Sequence, residues 1–265
     1  FGLKKLFIPA LAAVAVLIIA FFIWKLIPKK EAVLAPKIEN SIAVISFENQ
    51  TGDKAYDYLQ KAIPNLLITS LEQTGLLYVA TWERMHDLLK QMGKEDIEII
   101  DSDLGFELCR REGIKAIVLG SFIKAGDMFA TDVKVLDVDT KRLLKSASSK
   151  GKGADSILES QIDALSREVS QGIGIPEKKI EAAQIKVEDI TTNSMEAYNY
   201  FLRGREDYNK FYYDSARRFL EKAMELDPTF ATAYLYLART YSSLRNTKAR
   251  NEAIEKAKNF SEKVT

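Results

Sequence analysis

The chain has 265 residues, 38 Lys and Arg against 37 Asp and Glu, one Cys and one His. That length suits roughly two domains. The near-neutral charge offers no bulk attraction for nucleic acid or an acidic partner. A single cysteine excludes an intramolecular disulfide, and one His with one Cys cannot hold a zinc ion unless carboxylates supply the remaining ligands.

The first predicted element is an unbroken apolar run, "LFIPALAAVAVLIIAFFIW", residues 6–24. A bilayer core of ~30 Å needs ~20 residues of helix, and Trp24 stands where an interfacial aromatic belongs. A cleaved signal peptide would show a shorter apolar stretch and a small-x-small site. Here Lys25, Lys29, Lys30 and Glu31 follow, and Ala32 and Ala35 are three apart. The reading is one transmembrane helix with its flanks over 1–30. Lys25, Lys29 and Lys30 outnumber Lys4 and Lys5, which favours the cytoplasm for the C-terminal side.

Residues 41–47, "SIAVISF", are nearly all apolar, as in a strand buried on both faces. Leu59, Ala62, Ile63, Leu66, Leu67, Ser70 and Leu71 then recur at helical spacing. Pro64 interrupts that pattern and would mark the helix start as a first-turn proline, with Gly75 ending it. "LLYVA", 76–80, reads as a strand, and 82–93 as a helix with Trp82, Met85, Leu89 and Met92 on one face. A short helix follows over 102–112. Strands 116–124 and 128–138 are joined by Ala125-Gly126-Asp127, a hairpin turn. A third strand, 142–149, and an amphipathic helix, 156–169, complete an α/β domain around a mixed sheet, residues 37–175.

Three blocks in this order, "SIAVISFENQTGD", "LLITSLEQTGLLYVA" and "GIKAIVLGSFIKAGDMFATDVKVLDVDT", resemble the TolB N-terminal-like (FlgO-like) domain over about 40–175. Ile45-Ser46 stands where the family has Leu-Pro, and Lys141 where it often has glycine. The resemblance implies a non-catalytic envelope or receptor domain, of the kind that sits between a membrane span and tetratricopeptide (TPR) repeats.

A polar linker, 176–192, leads to residues 193–265, which carry a 34-residue period: Tyr200 aligns with Tyr234 and Gly204 with Ala238. Small residues at Gly204, Ala216 and Ala223 let two helices of a hairpin approach, with Tyr200 and Leu220 between them, and Asp227-Pro228 ends the second helix. Asn193 with Glu196 reads as a capping box. This resembles the TPR. "AKNFSEKV", 257–264, matches "ARRFLEKA", 216–223, seven residues beyond the period, so a lengthened connection is expected between Leu244 and Lys256. By the resemblance, the family's groove positions fall on Tyr198, Phe201, Arg205 and Asn209 in the first repeat and Arg239 in the second. Two arginines 34 apart suit a carboxylate-bearing peptide.

"ENQTGDK", 48–54, ends a strand in a glycine-bearing polar loop, yet it lacks the GxxxxGK[ST] frame of a phosphate loop. Asn49 and Asp53 are expected to stabilise it by local bonds, with Gly52 at positive φ. His86 reads as a helix-flank residue and Cys109 as a small buried hydrophobe. Asp137 and Asp139 belong to a turn, lacking the glycine and distal glutamate of a calcium loop. The aromatics Tyr198, Phe201, Tyr208, Phe211, Tyr212 and Tyr213 read as repeat core, since no basic stripe accompanies them.

The expected architecture is one transmembrane helix, an α/β mixed-sheet domain and all-α TPR hairpins. The expected function is a membrane-anchored sensor or protein-interaction module of a larger bacterial signalling receptor; the resemblance implies a Ser/Thr protein kinase or winged-helix domain upstream of Phe1. The alternative is a self-contained cell-envelope scaffold of the TolB/FlgO type. No catalytic, cofactor or metal site is expected. The partner would be a protein or peptide in the TPR groove, with self-association open and nucleic acid excluded. The resemblance puts the soluble region outside the cytoplasm, single-pass in the cytoplasmic membrane, against the lysine count.

Overall fold

The computed structural model describes residues 38–97 and 99–261. The apolar run 6–24 lies outside them. Among the described residues, no helix is long and apolar enough to cross a membrane.

The sheet has the order β3-β1-β4-β5-β6, with β2 also pairing β4. Its strands are β1 (Ile38–Val44), β2 (Glu48–Asn49), β3 (Tyr78–Ala80), β4 (Ile114–Ala125), β5 (Met128–Asp137) and β6 (Leu143–Lys152). β1 lies parallel between β3 and β4, and β4, β5 and β6 form an antiparallel meander. Helices α1 (Leu59–Gln73), α2 (Trp82–Gln91) and α3 (Ser102–Glu112) link the parallel strands. A single π-helical turn, Ile157–Gln161, runs into α4 (Ile162–Gly172).

Side chains of successive residues point to opposite faces of a strand, and the core follows that rule. Ile42, Val44, Ala116, Val118 and Phe122 face α1 and α4, in one apolar cluster with Phe129, Val133 and Val135 of β5. Ala43, Ile45 and Ile117 face α2 and α3 in a second cluster, joined by Ile114 from before a register irregularity at the start of β4. The continuous apolar runs of β1 and β4 are therefore explained: both faces are covered. On β5, residues 129, 131, 133 and 135 are buried while Met128 and Lys134 are exposed. The meander is covered on one side only.

Pro64 does not start α1; it sits inside it. An interior proline leaves the carbonyl four residues back without its helical donor. That carbonyl, of Gln60, accepts the Phe47 N–H at 3.2 Å instead. A tertiary hydrogen bond thus replaces the helical one.

Residues 176–192 hold two short helices, α5 (Glu177–Ala183) and α6 (Val187–Ile190). Ile180 and Val187 are buried, and the Val187 N–H donates to Asp163 Oδ1 at 3.0 Å. The segment expected as a polar linker is thus docked on α4. Two apolar anchors within a charged run suffice for this.

Four helices follow: α7 (Met195–Asn209), α8 (Tyr213–Leu226), α9 (Ala231–Ser243) and α10 (Thr247–Ser261). They pack as two hairpins. The α7 N-cap is Ser194, whose side chain accepts from the Ala197 N–H at 3.2 Å, rather than the expected Asn193. The lengthened connection after Leu244 is absent. α10 begins at Thr247, 34 residues after α8 begins at Tyr213, so the match of 257–264 with 216–223 relates segments two turns apart on equivalent helices. Gly204 is where the first hairpin closes: a Cβ there would lie 2.7 Å from Leu220 Cγ and 3.2 Å from the Ala216 carbonyl oxygen.

Candidate protein-interaction face

The polar loop after β1 is closed by its own side chains. Asn49 Nδ2 donates to the Asp53 carbonyl at 3.0 Å and to Asp57 Oδ1 at 2.7 Å. Asn49 Oδ1 accepts from the Thr51 N–H and hydroxyl, and Asp53 Oδ1 accepts from the Ala55 N–H. Gly52 has φ +75°. These are the local bonds expected from the sequence. Cys109 is fully buried, and burial pushes its thiol up to about 12, which withholds the thiolate a nucleophile needs. His86 is exposed on α2. Asp137 Oδ1 accepts from the Thr140 N–H and hydroxyl, both at 2.7 Å, as a turn residue does. Among the described residues, no group of three or more His, Cys, Asp and Glu could hold a metal ion.

The helical hairpins dock on the α/β domain through α7. Tyr198 and Phe201 are 2% and 4% exposed and belong to the same apolar cluster as α1. Arg205 donates to Asn65 Oδ1 of α1 at 2.6 Å and lies 3.9 Å from Glu83 of α2. Lys61 of α1 lies 3.6 Å from Glu206. A buried large side chain contributes ~1.5–3 kcal/mol, against ~1.5–3 kcal/mol for one hydrogen bond to a charged group. Apolar burial and the Arg205 hydrogen bond are therefore of similar size, and both tie α7 to α1. Burial works to raise the Glu206 carboxyl, but Lys210 and Lys61 outweigh it and hold it below the usual range. Tyr198 is pushed up to about 12, first by burial.

From this buried seam a row of aromatic rings leads outward along α7 and α9. Phe201 meets Phe230 at 5.0 Å and Tyr236 at 5.5 Å between centroids. Tyr236 meets Tyr208 at 6.1 Å, Tyr208 meets Tyr213 at 5.7 Å, and Tyr213 meets Phe211 at 6.2 Å. The row ends in solvent: Phe211 is 75% and Tyr212 63% exposed. Arg239 stacks on the Tyr236 ring at 5.1 Å.

The exposed end is held by backbone. Phe211 has φ +65°, with its N–H donating to the Tyr208 carbonyl and the Tyr212 N–H to the Asp207 carbonyl at 2.8 Å. This is a helix-ending motif that favours glycine at the left-handed position. Arg245 takes the same place in the second hairpin, with φ +59°. A bulky side chain there is strained by ~1–2 kcal/mol, so the Phe211 ring is kept in solvent against local preference.

The five expected groove residues thus separate. Tyr198 and Phe201 are buried, with Phe230 beside both rings and Tyr236 against Phe201, Arg205 is turned to Asn65 and Glu83, and Asn209 and Arg239 are exposed. The structure does not leave Arg205 open as the partner of Arg239 in a shared groove. Phe211 and Tyr212 stand in solvent rather than in the repeat core that the sequence suggests, because ring content alone does not say which rings face water. Their place directly after the α7 pattern ends was the available signal.

No family model matches the chain. A curated relative from Rhizobium meliloti (strain 1021), described as "Putative adenylate cyclase 3", is 25% identical over 229 residues; the match covers 82% of this chain and 37% of that protein. Among solved structures, the LpoB C-terminal domain from Salmonella enterica is similar over 44% of this chain and 84% of its own, with 12% identity and a TM-score of 0.35. TolB from Acinetobacter baumannii is similar over 54% of this chain and 30% of its own, with 13% identity and a TM-score of 0.33. These are low scores, and the fold stands on the strand order and packing given above.

Proposed function

We propose that the chain is a non-catalytic scaffold module that captures a protein partner through the tip of its first helical hairpin. The observation that carries this is the exposed Phe211–Tyr212 pair, with Phe211 held at a left-handed backbone position and braced by Tyr213. Aromatic anchors of this kind dominate protein–protein contacts. Helix pairs with equivalent starts 34 residues apart support reading the hairpins as TPRs. The apolar run 6–24, read as a membrane span, supports a scaffold held at the membrane of the cell envelope.

A second reading, a regulatory module of a larger signalling protein, is favoured by the relative named as an adenylate cyclase, of which this chain spans 37%. Both readings need a captured partner. Affinity capture from the source cells with wild type and with Phe211→Gly plus Tyr212→Ser tests it. The double variant is expected to lose the partner without any fall in its thermal midpoint. Equal recovery by both proteins overturns the reading.

A further inference from the structure

Among the described residues, β6 is the last strand of the sheet and pairs only with β5. Alternate residues of such an edge direct their N–H and C=O groups outward. α4 runs beside it and touches it tightly at two places. At one end a Cβ on Gly172 would lie 2.6 Å from the Lys145 Cβ, and at the other a Cβ on Gly151 would collide with the Ser156 side chain just before the helix. Between these pins strand and helix part. The gap is a cavity of about 340 Å³ lined by Ser146, Ala147 and Ser148 on the strand and by Ala164, Leu165, Arg167 and Glu168 on the helix.

The charge around this edge has one sign in excess. On the uncovered face of the meander, Lys134 pairs in register with Ser146, and Lys150 and Lys152 extend along β6. None of these three has an ion pair among the described residues; Asp132, opposite Ser148, is the acid among them. Lys145 points the other way and is taken by Glu168 at 2.8 Å. Lysines on an edge strand often serve to block pairing. Here they leave the uncharged stretch 146–149 open, directly beside the cavity.

We propose that β6 accepts an extended peptide segment as an added strand, one that alternates small apolar with acidic residues. Strand addition supplies main-chain hydrogen bonds, and side chains alternate between two faces. One set would enter the cavity against Ala164 and Leu165; the other would face Lys134, Lys150 and Lys152. A second copy of this chain fits poorly. Antiparallel self-pairing keeps like faces together, so a second copy would add its own lysines to the face that already carries Lys134, Lys150 and Lys152, whereas an acidic segment supplies the opposite charge. The site is remote in sequence from the Phe211 tip and does not depend on it.

The test is fluorescence anisotropy with the full chain in mild detergent. The probe is a labelled heptapeptide alternating Val with Glu, and its control carries Lys in place of Glu. The Glu peptide is expected to bind saturably and at least ~10-fold more tightly than the Lys peptide. Ala164→Trp, which fills the cavity, should weaken it at least ~10-fold, and Lys150→Glu with Lys152→Glu should reverse the preference between the peptides. Methylating alternate backbone nitrogens of the probe should abolish binding, while Phe211→Gly should change nothing. The proposal fails if neither peptide saturates, if the lysine reversal leaves the preference intact, or if sedimentation shows a dimer that the probe cannot dissociate.

Discussion

Gly204 and Phe211 make opposite demands on side-chain size within one hairpin. At Gly204 there is no room: the missing Cβ is what lets α7 reach Leu220 and the Ala216 carbonyl. Gly204→Ala should therefore lower stability by ~1–3 kcal/mol, as overpacking does, read from the urea midpoint. At Phe211 there is room but the wrong backbone angle. Phe211→Gly should raise stability by roughly 0.5–1 kcal/mol while removing the exposed ring. A variant that gains stability and loses partner capture separates function from folding. The Gly204 contact was legible in the sequence, because the 34-residue alignment set it among other small residues facing Ala216 and Leu220. The fate of Arg205 was not. Its spacing from Arg239 describes a bare repeat array, and only the docking of α7 on α1 and α2 turns it toward Asn65 and Glu83.

Among elements, strand and helix identities followed from periodicity, and the departures share one cause. Pro64 is tolerated inside α1 because Phe47 supplies a donor from another element. Helices α5 and α6 exist because Ile180 and Val187 find the α4 surface. The π-helical entry to α4 accompanies a buried Gln161, which accepts from Thr131 Oγ1 at 2.9 Å and donates to Ser156 Oγ at 2.9 Å. Each depends on a partner distant in sequence, which periodicity does not report. The docked segment also carries a pH signature. Burial raises the Asp163 carboxyl, against the opposing pull of the Val187 N–H. The folded form then binds a proton more readily than the unfolded one, so stability falls as pH rises through the carboxylate range. Asp163→Asn should stabilise the chain at neutral pH, with the gain vanishing below the ordinary Asp range. Glu206 has the opposite sign: its carboxyl is lowered, so its contribution is present at neutral pH and is lost as acid protonates it. Glu206→Gln should cost a little stability at neutral pH and nothing in acid. Its 40% exposure keeps that effect small. Thermal midpoints across pH 3 to 8, about the carboxylate range, check both signs.

Across the described residues the apolar cluster is continuous from β1 through α1 and α4 into the helical hairpins. Calorimetry should accordingly show the α/β domain and hairpins melting together. Arg205→Ala removes a charged hydrogen bond worth ~1.5–3 kcal/mol and should split off a lower transition for the hairpins. A single unshifted transition would show that the contact does not couple them. Such docking fixes the orientation of the first hairpin, with Arg205 and Glu206 held to α1 and, beyond them, Phe211 and Tyr212 in solvent. The central claim is that this tip captures protein, and site-directed photo-crosslinking in the source cells tests it most directly. With benzophenylalanine in place of Phe211, and separately in place of the exposed Lys90 on α2, a discrete protein adduct is predicted at 211 and none at 90. The absence of any adduct at 211, or the same adducts at both positions, would contradict the account.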